Sequence, residues 1–414
     1  MSTEQQHMSN CRRFLKVVGI NIALFLVGIG LLVTVPIVIV KSYELIRSII
    51  PSLDIGSPGA LADRRNNPHK LPNFENIEWA YQHFEDLAQQ NPMVEKKHLE
   101  WQNAPFESET LNISATGIRR TKLPSIDSER TMSGENRVFW MFGGSTMFGW
   151  GNNDNNTIPS ILSSKLSVDT VNFGTPSYIA LQSLIRLISE YGALRSAEDP
   201  PRVIVFLDGA NDVQYMCQVE MPETLVRGHR SQEGEPAVMR KLDRPSLHKS
   251  LATSPRWLVQ PFLTLINRFR DSGVVSSLDN DDDLYICDDQ PDRAEMVATA
   301  LVSDWGSAQS ISEQHGDQFV AMLQPVMYMS QSRQDHIPEF MYDKEWKKQF
   351  NAVYPIVRRL AEEHDINFLD LSYSLDQDEY YFFDAFHLSP TGNIRIVEEL
   401  IEYLSTGNDM TSGE

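Results

Sequence analysis

The chain is short of basic charge, of metal-ligand spacings and of cysteine, and each shortage narrows what it can do. Its 414 residues hold 36 Lys and Arg against 56 Asp and Glu, a formal net charge of −20. Nucleic-acid binders neutralise phosphates with clustered Lys and Arg, and outside the first residues no basic stripe occurs, so a nucleic-acid partner is not expected. The ten histidines form no His-x-His and no His-Glu-x-x-His, and Glu362-Glu363-His364-Asp365 reads as the charged end of a helix. Neither a metal nor a cofactor is expected on these spacings. No internal repeat is present. Of the three cysteines, Cys11 lies on one side of a long apolar run and Cys217 and Cys287 on the other. The latter two either pair or remain separate buried thiols, and their spacing does not decide between the two.

That apolar run, residues 17–40, carries no charge and only Asn21, Thr34 and Pro36 as mild interruptions. It is long enough to cross a hydrocarbon core of about 30 Å as a helix. It is too long for a signal-peptide core, and Lys41-Ser42-Tyr43-Glu44 offers no small-residue cleavage pattern, so it reads as an uncleaved signal-anchor. Arg12, Arg13 and Lys16 precede it while Lys41 and Arg47 follow. This bias places the tail 1–16 in the cytoplasm and the rest of a single-pass protein outside it.

Residues 41–111 read as a stalk followed by a packing helix. The stretch 50–73 is rich in Pro, Asn, Arg and Gly; Ile77, Ala80, Tyr81, Phe84 and Leu87 then recur at helical spacing, with Asn73 available as N-cap. From residue 137 short β-branched or aromatic runs alternate with longer amphipathic ones, the pattern of strands joined by helical crossovers in a parallel sheet. The strands are expected over 137–142, 170–173, 203–207, 319–323 and 367–371. The helices are expected over 159–166, 178–194, 293–315 and 346–364, with a last one started by Ser389-Pro390 and running to about 404. An insertion over 213–291 breaks the alternation. Its apolar stripe Leu258, Phe262, Leu265, Ile266 and Phe269 packs on the core or forms a membrane-docking or substrate lid. Its acidic tract, Asp279-Asn280-Asp281-Asp282-Asp283, lacks the glycine and the final acid of a calcium loop and reads as solvated.

In an open parallel sheet the ligand site lies beyond the carboxyl ends of the strands. Ser145 follows the first strand in Gly143-Gly144-Ser145-Thr146, Gly174 follows the second, and Asn211 follows the third in Gly209-Ala210-Asn211-Asp212. A serine hydroxyl is a poor nucleophile at neutral pH and needs an imidazole to take its proton and a carboxylate to orient that imidazole. Asp384-Ala385-Phe386-His387, just before the last helix, offers both on one short loop.

Those four blocks, in that order, resemble the SGNH or GDSL-type hydrolase superfamily. The resemblance covers roughly residue 112 to the last helix, where 112–408 would form the hydrolase domain, and Gly117-Ile118-Arg119 resembles a feature of membrane-linked members. One departure is that Gly144 stands where the name-giving block has Asp. The pattern is also not the Gly-x-Ser-x-Gly elbow, because Met147 occupies the second glycine position. The resemblance implies an α/β fold, a three-layer α/β/α sandwich on a parallel, flavodoxin-like sheet. It also implies Ser145 as nucleophile, His387 as base, Asp384 as orienting acid, and an oxyanion hole from Ser145, Gly174 and Asn211. The expected function is a membrane-anchored serine esterase hydrolysing acyl esters, O-acetyl included, of an extracytoplasmic glycan or lipid. The alternatives are an acyltransferase using the same triad and an idle envelope-binding scaffold.

Overall fold

The computed structural model describes residues 68–90, 93–122, 137–194, 200–218, 285–337 and 344–407. The tail 1–16, the expected span 17–40, the stalk to residue 67, and the insertion's apolar stripe and acidic tract lie outside these. Among the described residues no helix is long and apolar enough to cross a membrane.

The expected packing helix forms as α1 (Ala80–Gln89), later than the sequence suggests, and Trp79 rather than Asn73 precedes it without a side-chain cap. Asn73 lies in a 3-10 turn, Pro72–Phe74, where its amide serves a distant loop. Two antiparallel hairpins follow, β1 (Met93–Lys96) with β2 (Glu100–Asn103) and β3 (Phe106–Glu107) with β4 (Asn112–Ile113).

The main sheet consists of β5 (Val138–Gly143), β6 (Asp169–Asn172), β7 (Arg202–Asp208), β8 (Gln318–Leu323) and β9 (Phe368–Asp370). All pairings are parallel and the order is β6-β5-β7-β8-β9. Every residue of the central strand β7 is buried, which is why it reads as an unbroken apolar run; a parallel strand is covered on both faces. Phe142, Phe206 and Phe319 form a ladder of rings across three strands at 5.2 Å steps, and Phe173 stacks on Phe142 at 4.6 Å.

This strand order is the flavodoxin-like one. Right-handed crossovers set α3 (Ile158–Leu166), between β5 and β6, on one face. On the other face they set α4 (Ala180–Leu194), α6 (Pro291–Gln314) and α7 (Lys344–Glu363). The contacts agree: α6 packs on α4 and α7, while the last helix, α8 (Pro390–Gly407), packs on α3. Two short helices, α2 (Ser145–Phe148) and α5 (Ala210–Met216), start at the carboxyl ends of β5 and β7. The chain turns in opposite directions on leaving these two strands, and the crevice so opened is where ligands sit in such sheets.

Cys217 and Cys287 form a disulfide. Beside it Gln218 bridges to Tyr285 and the Ile286 N–H donates to the Cys217 carbonyl at 3.0 Å, so the two ends of the insertion are joined at its base.

Candidate active site

Ser145 is the first residue of α2, directly at the end of β5. Its Oγ lies 2.7 Å from His387 Nε2, and His387 Nδ1 lies 2.6 Å from Asp384 Oδ2. The carboxylate accepts from Nδ1–H, which leaves Nε2 as the acceptor facing the serine hydroxyl. Asp384 and His387 occupy the tip of a narrow hairpin: Phe382 bridges to Leu388, the Phe383 N–H donates to the His387 carbonyl at 3.1 Å, and the Ser389 N–H to the Tyr381 carbonyl at 2.7 Å. The Asp-x-x-His spacing follows from this tip, because Asp384 Oδ1 accepts the N–H groups of Phe386 and His387 at 2.9 and 2.7 Å. Burial pushes the Asp384 carboxyl up, but the His387 charge, its hydrogen bond and those two N–H donors together hold it below the usual carboxylate range. It is an anion at neutral pH.

Two buried brackets hold the serine helix against this hairpin, Gln324 and the Arg119 of Gly117-Ile118-Arg119, and neither is among the site residues expected from sequence. Gln324, the first residue after β8, donates from Nε2 to Thr146 Oγ1 at 2.9 Å and to the Phe386 carbonyl at 3.4 Å. It thereby joins the residue after Ser145 to the residue before His387. Its only sequence signal is its place at a strand end. Arg119, fully desolvated, donates to the Phe148 and Gly149 carbonyls at 2.7 and 2.9 Å and to the Asn152 carbonyl, and pairs with Asp154 at 3.2 Å. Burial lowers its pKa to about 10 against the opposing charge and hydrogen bond of Asp154, so it remains a cation serving the carbonyls at the end of α2. Asn152 in turn donates to the Leu388 carbonyl at 2.8 Å, next to His387.

On the opposite side, Asn211 Nδ2 donates to the Tyr178 carbonyl at 2.8 Å, and its second amide hydrogen has no protein acceptor among the described residues. Gly144 is what admits this amide: a Cβ at residue 144 would lie 2.4 Å from Asn211 Nδ2. Asp212, beside it, accepts the N–H groups of Ala180 and Gly209, each at 3.1 Å, and ties the start of α4 to the end of β7. Burial raises Asp212 to about 6, against those N–H donors.

The Gly174 N–H is already engaged, donating to Asn172 Oδ1 at 2.9 Å. A Cβ there would stand 2.2 Å from the Phe148 nitrogen, so this glycine serves close packing on α2. In the turn that follows, Thr175 N–H donates to the Gly143 carbonyl and Tyr178 N–H to the Thr175 carbonyl, and Pro176 has no N–H. Ser177, at φ 66°, is left with the uncommitted N–H of the turn among the described residues. Nothing in its identity signals this, since the donor is backbone. Among the described residues no cluster of three or more His, Cys, Asp or Glu side chains could hold a metal ion.

No protein-family model matches the sequence and no curated protein matches it. Solved structures similar to the chain include a lipolytic protein of the G-D-S-L family from Veillonella parvula DSM 2008, at 12% identity and TM-score 0.36 over 64% of this chain and 97% of that one. Another is a carbohydrate acetylesterase from Sinorhizobium meliloti, at 11% and 0.31 over 65% and 99%. A third is an aryl esterase of M. smegmatis, at 11% and 0.35 over 65% and 99%. The chemistry therefore rests on the geometry of the site itself.

Proposed function

We propose that the protein is a serine esterase of SGNH type. The observation that carries this reading is the continuous hydrogen-bonded line from Ser145 Oγ through His387 to Asp384 at 2.7 and 2.6 Å. Ser145 Oγ attacks the ester carbonyl as its proton passes to His387 Nε2. The tetrahedral oxyanion is met by the Ser145 N–H, the open amide hydrogen of Asn211, and a backbone donor from the turn after β6. For that last donor the uncommitted N–H of Ser177 is the stronger choice over Gly174. Collapse expels the alcohol, which takes the proton from His387 and leaves an acyl-serine. Water, deprotonated by the same imidazole, then releases the acid and restores the serine. Asp384 remains ionised throughout and holds the ring.

Two features support placing this chemistry at a membrane and outside the cytoplasm: the apolar run 17–40 with its flanking charges, and the Cys217–Cys287 disulfide, a bond that persists in oxidising compartments. The substrate class in this reading is an acyl ester of an extracytoplasmic glycan or lipid.

The test is intact-mass analysis of the full chain in detergent after exposure to a fluorophosphonate, with Ser145→Ala alongside. A single adduct on wild type and none on the variant is the expected result. No adduct on folded wild type would reject the reading in favour of an idle scaffold.

A further inference from the structure

We infer that the segment 73–87, upstream of the catalytic motifs, sets the position of the base, with Asn73 as its principal positioning residue; this rests on the esterase reading above. The tip carrying Asp384 and His387 is held through Phe386, which packs on Tyr328, Trp346 and Phe350, and through the Met327 N–H, which donates to the Ala385 carbonyl at 3.1 Å; the segment 73–87 adds a separate hold on the residues just before it. Asn73 Nδ2 grips these from outside, donating to the Tyr380 carbonyl at 2.8 Å and the Phe382 carbonyl at 2.9 Å. These carbonyls sit on alternate residues of one hairpin arm and also meet Ser389 Oγ at 3.0 Å and His336 Nε2 at 2.7 Å, so the amide shares in fixing the height and the twist of that arm.

The same segment controls the imidazole plane. Phe383 stacks on His387 with ring centres 5.7 Å apart and planes 19° off parallel. Phe74, only 1% exposed, packs edge-on against Phe383 at 5.4 Å, and Phe84 does so at 6.1 Å. Gly151 makes room for this stack, since a Cβ there would fall 2.3 Å from Phe383 Cζ, and its φ of +78° suits glycine. When His387 takes the serine proton, its new charge develops against the π face of Phe383, a favourable contact.

On the nucleophile side, Leu87 packs in one cluster with Phe148, the last residue of α2. Thr110 donates to Asp86 Oδ2 at 2.7 Å while its carbonyl accepts the N–H of Asp154, the partner of Arg119. The segment thus bears on the hairpin of the base through Asn73, Phe74 and Phe84, on the serine helix directly through Leu87, and on it indirectly through Asp86, Thr110, Asp154 and Arg119.

The experiment compares full-length wild type with Asn73→Asp, which keeps the shape but removes both donors, and with Phe74→Leu, which keeps an apolar side chain but removes the ring. For each, the rate of Ser145 phosphonylation, kcat and KM on an aryl ester, and Tm are measured. The expected result is a fall in kcat and in phosphonylation rate of roughly tenfold to a hundredfold in Asn73→Asp, as misplacement of a catalytic group produces, with KM little changed and the fold retained. Phe74→Leu should move kcat in the same direction by less, and it carries the test if Asn73→Asp does not fold. Unchanged kcat and labelling in a folded variant, beside a reactive wild type, would overturn the positioning role alone. A wild type that takes no phosphonate would overturn the esterase reading and this inference together.

Discussion

At the scale of single residues, the contact between Gly144 and Asn211 has the sharpest consequences. The amide nitrogen occupies the space that a side chain at 144 would need, 2.4 Å from where its Cβ would stand. Asn211→Ala is expected to lower kcat on the order of a hundredfold or more, the usual effect of losing one oxyanion donor. Gly144→Ala should lower it too by pushing the amide aside. If that is how it acts, the double variant will be no slower than Asn211→Ala alone, whereas additive losses in steady-state kinetics would show that Gly144 acts by another route. Ser145, Asp384 and His387 could be named from sequence because the chemistry demands particular side chains at strand and loop ends, and the structure brings these three together. The donors in the turn after β6 could not be read in this way. Which N–H is free depends on the commitments of Gly174, Thr175 and Tyr178, and hydrogen-bond partners are not written in residue type.

At the scale of elements, the five parallel strands stand close to where the alternation of runs places them; β5, β7 and β8 are largely buried and read as apolar runs, while the short edge strands β6 and β9 are placed by the helical patterns on either side of them. The hairpins β1–β2 and β3–β4 gave no such signal. They are two to four residues long, and their edges are set by pairing rather than by periodicity. The join at the base of the insertion was equally hidden, since spacing alone does not bring Cys217 to Cys287. A cross-link over a separation of 70 residues restricts the unfolded chain by about 4 kcal/mol in the loop-entropy account. Cys217→Ser with Cys287→Ser is therefore expected to lower Tm measurably, and mild reduction of wild type should reproduce the shift. An unchanged Tm would mean that the neighbouring backbone bonds hold the neck without it.

At the scale of the whole molecule, stability should depend on pH through His83. The ring is fully buried between α1 and the turn joining β3 to β4, with Nδ1 3.1 Å from Thr110 Oγ1. Burial first, then the charge of Arg119, lower its pKa from 6.5 to about 3 despite the opposing charge of Asp86. Between those values the unfolded chain binds a proton that the folded one refuses. The contribution is thus complete above pH 6.5 and is lost as pH falls toward 3, with an upper limit of about 5 kcal/mol. The stability difference between wild type and His83→Gln should grow from pH 4 to pH 7 and then level off; a difference that is flat across this range would show that His83 is not the group responsible. The raised acids Asp212 and Asp304, at about 6 and about 8 through burial, act with the opposite sign as pH rises, so the comparison with the variant is needed to isolate the histidine.

Ser145 and His387, which meet at 2.7 Å, are 242 residues apart in the chain. During synthesis the serine is therefore made long before its partner exists. A nascent chain that has already assembled β5, β6, β7 and β8 still carries only an unactivated alcohol. Reactivity arises in one step, when the final hairpin emerges and docks, so intermediates still on the ribosome cannot attack esters around them.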